Sequence, residues 1–578
     1  MKKKGMSVMN KNQLHKLAAL GGVIIGAAAG AGVARHLHRR KIEQEASRVH
    51  PGRKGEPQAY LIGGGIGALS AAVYLIQDGG FLGENIHIIE GLDVLGGSND
   101  GAGNVTQGFV CRGGRMLNEE TYENFWELFD SIPSLDWPGK SVTEEILNFD
   151  HLHPTHAQAR LIDKHGNILD VHSMQFDNKD RFLLTKLLAT PEEKLDNLTI
   201  EDWFKDDPHF FTTNFWYMWQ TTFAFQKWSS LFEFRRYMNR MMLEFSRIET
   251  LEGVTRTPYN QYESLILPLK SYLEGYGVDF SIKAVVEDID FEEESITATD
   301  IYVKENGHER VLHLEEGDLC IMCNGCMSDN ATLGDYRHAP DYRVDHPMSA
   351  TLWKKVADKK PSLGNPAPFF TKPEETNWES FTVTCRGNRL LKMIEQFSGN
   401  IPGSGALMTF KDSNWLMSIV VAAQPHFKAQ DQNTTIFWGY GLYTDQEGNY
   451  VKKKMRDCTG EEILLELLGH LHFEEHTKDI LEDVVNVIPC MMPYIDAQFQ
   501  PRAMSDRPHV VPSGSTNFAM ISQFVEIPED MVFTEEYSVR AARIAVYTLL
   551  HIDKKICPVT PHHKNPKVLA KAAKTMLR

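Results

Sequence analysis

The chain has 578 residues, 42% of them hydrophobic and 24% charged, with a formal net charge of −17 at neutral pH. That length exceeds one ordinary core and implies two or three domains. The acidic balance, with no basic stripe, excludes a general nucleic-acid binder, and eight scattered cysteines are too sparse for a disulfide scaffold and fit a reducing compartment.

The first fifty residues differ from the rest. Lys2, Lys3 and Lys4 precede an uncharged run rich in Ala and Gly, 17–34, and Arg35, Arg39, Arg40 and Lys41 follow it. The run is just long enough to span a bilayer, and its small residues give it only a modest drive to insert. Basic residues on both flanks leave its orientation undefined. The segment reads as a membrane-associating tail or a leader; a cleaved signal peptide is the other reading, but the body lacks secretory features.

After a polar linker at 51–57, the stretch 59–100 carries the most information. A short apolar strand runs into Gly63-Gly64-Gly65-Ile66-Gly67-Ala68, a helical segment follows, and a second strand ends on Glu90. Strand, glycine turn, helix, strand and acid in that order form the fingerprint that holds the ADP half of a dinucleotide. Gly63 permits the tight turn, Gly65 lets the backbone approach the pyrophosphate, and Ala68 fills the third small position. The helix start offers N–H groups to the phosphates. Glu90 suits ribose hydroxyls and repels a 2′-phosphate. Two further glycine turns follow, Leu95-Gly96-Gly97-Ser98 and Arg112-Gly113-Gly114-Arg115.

Residues 133–200 carry few periodic signals. The stretch 201–248 predicts long helices dense in aromatic residues, enough to build a wide apolar cavity as well as core. A helix is expected over 261–275, then strands at 278–291, 294–303 and 319–325. Cys320, Cys323 and Cys326 fall in and just after the last of these. Alternate strand residues face opposite sides, so three ligands there converge poorly; we read them as buried thiols and expect no metal. A mixed segment occupies 345–480. A strand at 516–528 and a helix at 535–551, with small and apolar residues at three- and four-residue spacing, complete the nucleotide fold. The C-terminus, 565–578, is a basic helix-former.

These motifs fit an α/β fold, a Rossmann-like, two-dinucleotide-binding-domain FAD-binding fold with an inserted helical and mixed α+β substrate domain. The expected boundaries are 1–50 for the leader, 51–135, 266–345 and 486–552 for the FAD-binding domain, 136–265 and 346–485 for the substrate region, and 553–578 for a basic tail.

Over roughly 58–552 the chain resembles the oleate hydratases, also known as myosin-cross-reactive antigens. GGSNDGAG, RGGR, EFRRYMNR, YNQYESLILPL, KDSNWL, AQPHF and EEYSVRAA carry the resemblance. It implies an FAD-dependent hydro-lyase that adds water across a cis double bond of oleic or linoleic acid without net electron transfer. It makes Tyr237 of Arg-Arg-Tyr the proton donor, its hydroxyl poised by Arg235, Arg236 or the flavin, and puts Gln261 near the reacting carbons. It gathers Gly63, Gly65, Gly67, Ala68, Glu90, Gly97, Ser98, Arg115, Met116, Val285, Phe524 and Ser538 around FAD.

Two departures stand out. The family's water-activating glutamate follows RGGR directly, where this chain has Met116, so Glu119 or Glu120 becomes the candidate base. The strand before Gln424-Pro425-His426 is apolar from 419 to 423, which leaves His426 and Gln424 to hold the substrate carboxylate. The expected partners are an unsaturated fatty acid and a membrane surface, with the protein cytoplasmic and associated with the cytoplasmic membrane through 17–34; a homodimer is left open. Competing readings are a redox flavoprotein of the amine oxidase or desaturase type and a non-catalytic fatty-acid binder.

Overall fold

The computed structural model describes residues 56–114, 116–405 and 407–578. The run 17–34 therefore lies outside the described residues, among which no helix is long and apolar enough to cross a membrane.

The centre of the molecule is a parallel five-stranded sheet. Its strands are β1 (Ala59–Ile62), β2 (Ile86–Glu90), β3 (Asp279–Ile282), β4 (Leu319–Asn324) and β5 (Phe518–Ser522), in the spatial order β5-β4-β1-β2-β3. β1, β4 and β5 read as nearly unbroken apolar runs, and all their residues but Tyr60 and Cys323 are buried, as in strands covered on both faces. Helix α1 (Ile66–Gln77) follows β1 directly, and its residues from Ile66 to Ile76 are all buried. A C-terminal helix, Glu535–Leu549, packs beside it. Sequence-distant segments thus close one sheet, so the nucleotide fold is interrupted by insertions rather than contiguous.

The first insertion departs from the expectation of long helices. The 201–248 stretch breaks into short ones: Ile200–Phe204, then α2 (Asn214–Phe223), α3 (Leu231–Arg240) and α4 (Met242–Phe245). Thr213 and Ser230 cap α2 and α3 by accepting the N–H groups of Trp216 and Glu233. Ala224, at φ +60°, ends α2. The quiet stretch 133–200 holds two real helices, Val142–Leu152 and Asn178–Ala189, started by capping boxes at Ser141 with Glu144 and Asp177 with Asp180. The helix expected over 261–275 is present. Its first part, Tyr262–Ile266, is a π-turn and its second, Leu267–Gly275, is α-helical. Pro268 has no N–H to donate and crowds the preceding turn, which accounts for the widening.

The second insertion is a seven-stranded sheet in the order Thr332–Leu333, Val484–Met492, Trp378–Arg386, Thr434–Gly441, Met417–Val420, Leu407–Phe410 and Leu161–Ile162. Apolar residues of α2, α3 and this sheet enclose a cavity against the edge of the nucleotide fold. At the C-terminus, Pro566–Met576 forms a helix that packs on α4 through Val568, Ala572 and Thr575.

Candidate active site

Two cavities meet. The first, about 1150 Å³ including its open mouth, lies over the carboxyl ends of β1, β2 and β4. Gly63 sits at φ +98°, and a Cβ there would lie 2.8 Å from the Cys323 carbonyl oxygen. Gly65 is different. Its backbone is extended and caps α1 without a side chain, and a Cβ would meet only Cys323 Sγ, at 4.0 Å. It would project into open cavity instead, at the turn where α1 presents its N-terminus.

Glu90 lines the same cavity and is 8% exposed. Its Oε2 accepts the Gly64 N–H at 2.5 Å and its Oε1 the Leu92 N–H at 2.7 Å. Burial raises its pKa, and these backbone bonds pull it back. Each carboxylate oxygen keeps a second lone pair for a ribose hydroxyl. Gly97, Ser98, Val285 and Ser538 also line the cavity.

The other expected cofactor residues fall elsewhere. Gly67 and Ala68 are behind the wall: a Gly67 Cβ would sit 3.2 Å from Cys323 Sγ and 3.6 Å from Ser538 Cβ, and Ala68 is fully buried. They let α1 pack tightly on β4 and the C-terminal helix. Phe524 is a core residue in an aromatic cluster with Trp353, Phe369 and Phe370, with centroids 5.1, 5.1 and 5.3 Å away. Met116 lines the second cavity, not the first. Arg115 lies outside the described residues.

The second cavity holds about 1480 Å³ including its mouth and is mostly apolar, walled by Phe149, Phe223, Val420, Ala422, Trp378 and Trp438 among others. Phe533, Thr534 and Glu535 line both cavities and form the seam between them. Tyr237, on α3, reaches this cavity and is 1% exposed. Phe223, Phe225 and Phe499 cage its ring at centroid distances of 5.5, 5.0 and 5.6 Å. Its hydroxyl oxygen accepts the Phe533 N–H at 3.1 Å. Burial drives its pKa well above the ordinary phenol value, Tyr122 adds to the rise, and the Phe533 bond partly opposes it.

Neither neighbouring arginine poises that hydroxyl. Arg235 pairs with Glu192 at 3.1 Å, and Arg236 pairs with Glu192 at 2.9 Å and Glu526 at 2.6 Å. Consecutive residues point about 100° apart around a helix, which turns both guanidinium groups away from the Tyr237 ring. A buried ion cluster does bear on the seam. Arg240 holds Asp530 at 3.1 Å and Glu123 at 2.6 Å, while Arg540 holds Asp530 at 2.8 Å and Glu536 at 2.8 Å. These contacts fix the 530–536 segment against α3.

Glu119 and Glu120 are not brought to either cavity. The short strand Leu117–Asn118 pairs with Val254–Thr255, and the turn after it directs both acids to solvent. Glu120 forms an exposed ion pair with Arg247 at 3.1 Å. The carboxylates that do line the second cavity are Glu244 and Glu535. Asn118 and Arg247 bind Glu244. Glu535 opens the C-terminal helix at the seam. Gln424 is likewise taken up in structure: its side chain bonds the Ile436 carbonyl at 2.7 Å and N–H at 3.1 Å, and Gln430 at 2.7 Å. Gln261 and His426 line the cavity. Burial, then Arg256, pushes the His426 imidazole down to about 4, so it is neutral near pH 7.

Residues 56–547 match the MCRA family. The chain belongs to the MCRA family. This MCRA-family protein is 41% identical over 563 residues to the linoleate hydratase of Lactiplantibacillus plantarum, covering 90% of this chain and 98% of that one. It is 38% identical over 513 residues to the oleate hydratase of Streptococcus pyogenes serotype M49 (strain NZ131), covering 87% and 86%. Among solved structures it is similar to cyclohexylamine oxidase from Brevibacterium oxydans IH-35A, with a TM-score of 0.51, 11% identity and coverage of 86% and 99%. That last likeness establishes the dinucleotide-binding fold and nothing about chemistry.

Proposed function

We propose that this protein adds water across an isolated cis double bond of a long-chain unsaturated fatty acid, with FAD in the first cavity. One observation carries the reading: the buried Tyr237 hydroxyl lies in a largely apolar cavity that shares its Phe533–Glu535 wall with a nucleotide cavity. The two named hydratases support it from outside the structure.

The first cavity fits FAD. The uncapped start of α1, the open face of Gly65 and Glu90 at the end of β2 supply a pyrophosphate cradle and a ribose acceptor. When bound, FAD supplies a polar, preorganised wall at the seam, since hydration needs no net electron transfer.

An alkene is a poor base, so its protonation demands an acid placed and held in register. Tyr237 meets that demand. Its oxygen accepts a backbone bond, and among the described residues no acceptor takes its own hydrogen, so that hydrogen is available to the cavity. Its raised pKa keeps it protonated at neutral pH. As the proton adds to one carbon, the Phe533 N–H stabilises charge growing on the phenolic oxygen. Water adds to the other carbon and loses a proton to a carboxylate, and we assign that role to Glu535. It stands on the seam two residues beyond Phe533, in the first turn of a helix, at the end where carboxylates are commonly placed. Residues 17–34 bring the enzyme to the membrane that holds its substrate.

Incubation of the FAD-loaded protein with oleic or linoleic acid tests the reading by mass spectrometry. A product heavier by one water, with the flavin still oxidised, is expected. Flavin reduction by the acid without such a product overturns it.

A further inference from the structure

Tyr237 and Glu535 account for the reaction, but not for what holds the other functional group of a fatty acid. Among the described residues lining the second cavity, Arg256 is the only one with a permanent positive charge. It follows the short strand Val254–Thr255. Its Nη1 is buried with no hydrogen-bond partner among the described residues. The nearby Asp150 accepts the Arg256 backbone N–H at 3.2 Å, and among the described residues no carboxylate forms an ion pair with the guanidinium. Asp150 compensates the charge only at a distance, and a buried cation in a largely apolar cavity without a paired anion is costly. Val420, Ala422 and Ala423 add no polar side chain to the same cavity. Neutral His426 lines the same cavity.

Resting on the fatty-acid reading above, we infer that Arg256 is the specificity-determining anchor for the substrate carboxylate, with His426 beside it as a neutral hydrogen-bonding partner. The guanidinium presents a planar fork that matches a carboxylate, so a fatty-acid head group would supply the direct ion pair that Asp150 does not make. Consistent with an under-compensated site, burial brings the guanidinium down to about 10, with Asp150 opposing it only in part.

The test is binding of oleate and of oleyl alcohol, each below its aggregation concentration, to the FAD-loaded protein. The two probes share the chain and differ in the head group. The wild type should bind the acid about 30-fold or more tighter than the alcohol, the scale of a desolvated charge pair. Arg256→Met should bring that ratio close to 1 while leaving alcohol affinity and flavin content unchanged. Arg256→Gln, which keeps the position polar, is measured beside it. Equal binding of the two probes by wild type, or full acid preference in either folded variant, overturns the anchor. Hydration scored in the same samples separates the two proposals: acid preference that depends on Arg256, with no hydrated product, refutes the reaction and keeps the anchor. Failure of wild type to bind either probe refutes both.

Discussion

The Tyr237 hydroxyl oxygen lies 3.1 Å from the Phe533 backbone nitrogen, joining α3 of the inserted domain to the segment that walls the nucleotide cavity. The bond holds the phenol at the seam, where Tyr237 lines the apolar cavity. Replacing Tyr237 with Phe deletes only the hydroxyl and keeps the ring in its cage of Phe223, Phe225 and Phe499. Hydration should fall by about 10²-fold or more, the usual scale for a lost general acid. Flavin content and thermal stability should stay near wild type. Turnover within a few-fold of wild type would remove Tyr237 from the acid's role.

Gly63 and Gly65 should fail in different ways. A Gly65→Val protein should fold, because nothing lies closer than 4.0 Å to the new Cβ and the backbone is extended. It should lose flavin, because the side chain occupies the cradle. Gly63→Ala combines a positive φ with a 2.8 Å clash on the Cys323 carbonyl oxygen, so it should lose roughly 1–3 kcal/mol of stability. Flavin-to-protein stoichiometry and thermal denaturation of both variants distinguish the cases. Stoichiometric flavin in Gly65→Val would displace the pyrophosphate from this turn.

The nucleotide half was legible in the sequence because its signals are local. Gly63, Gly65 and Glu90 stand at a fixed spacing within one strand-turn-helix-strand unit, and Val285 and Ser538 line the same cavity as these three. The substrate side was less legible because it is assembled from distant segments. Tyr237 came from a family resemblance. Glu535 reaches its cavity only by folding back from hundreds of positions beyond Tyr237, and Arg256, though near Gln261 in the chain, carries no spacing that announces it. Glu119 and Glu120 illustrate the converse: close in sequence to the expected base, they are carried to solvent by the turn after Leu117–Asn118. The capping boxes at Ser141 and Asp177 were available signals in a stretch with few periodic ones.

The assignment of the base separates cleanly by substitution. Glu535→Gln removes the charge with little change of shape and should lower hydration by about 10²-fold. Glu119→Gln and Glu120→Gln should each stay near wild type, since both side chains are exposed and the Glu120 pair with Arg247 is of the weak surface kind. Loss of activity on changing Glu119 or Glu120, with Glu535→Gln active, would reverse the assignment.

Asp329 makes the stability of the flavin-free protein depend on pH. Its carboxyl lines the nucleotide cavity, and burial pushes it up to about 7, against partial relief from bonds to Ser349 and with a further push from Glu90. In the unfolded chain it titrates near 4. Between those values the folded state binds the extra proton, so the slope of stability against pH is negative. Its contribution is complete below about pH 4 and is lost as pH rises toward 7. Asp329→Asn stays neutral throughout and removes this dependence. Its advantage over wild type should therefore be small at pH 4.5 and grow to a few kcal/mol at pH 7.5. Chemical denaturation of both flavin-free proteins at the two pH values measures the difference. A constant offset between them would show that Asp329 is already ionised in the folded protein at the lower pH.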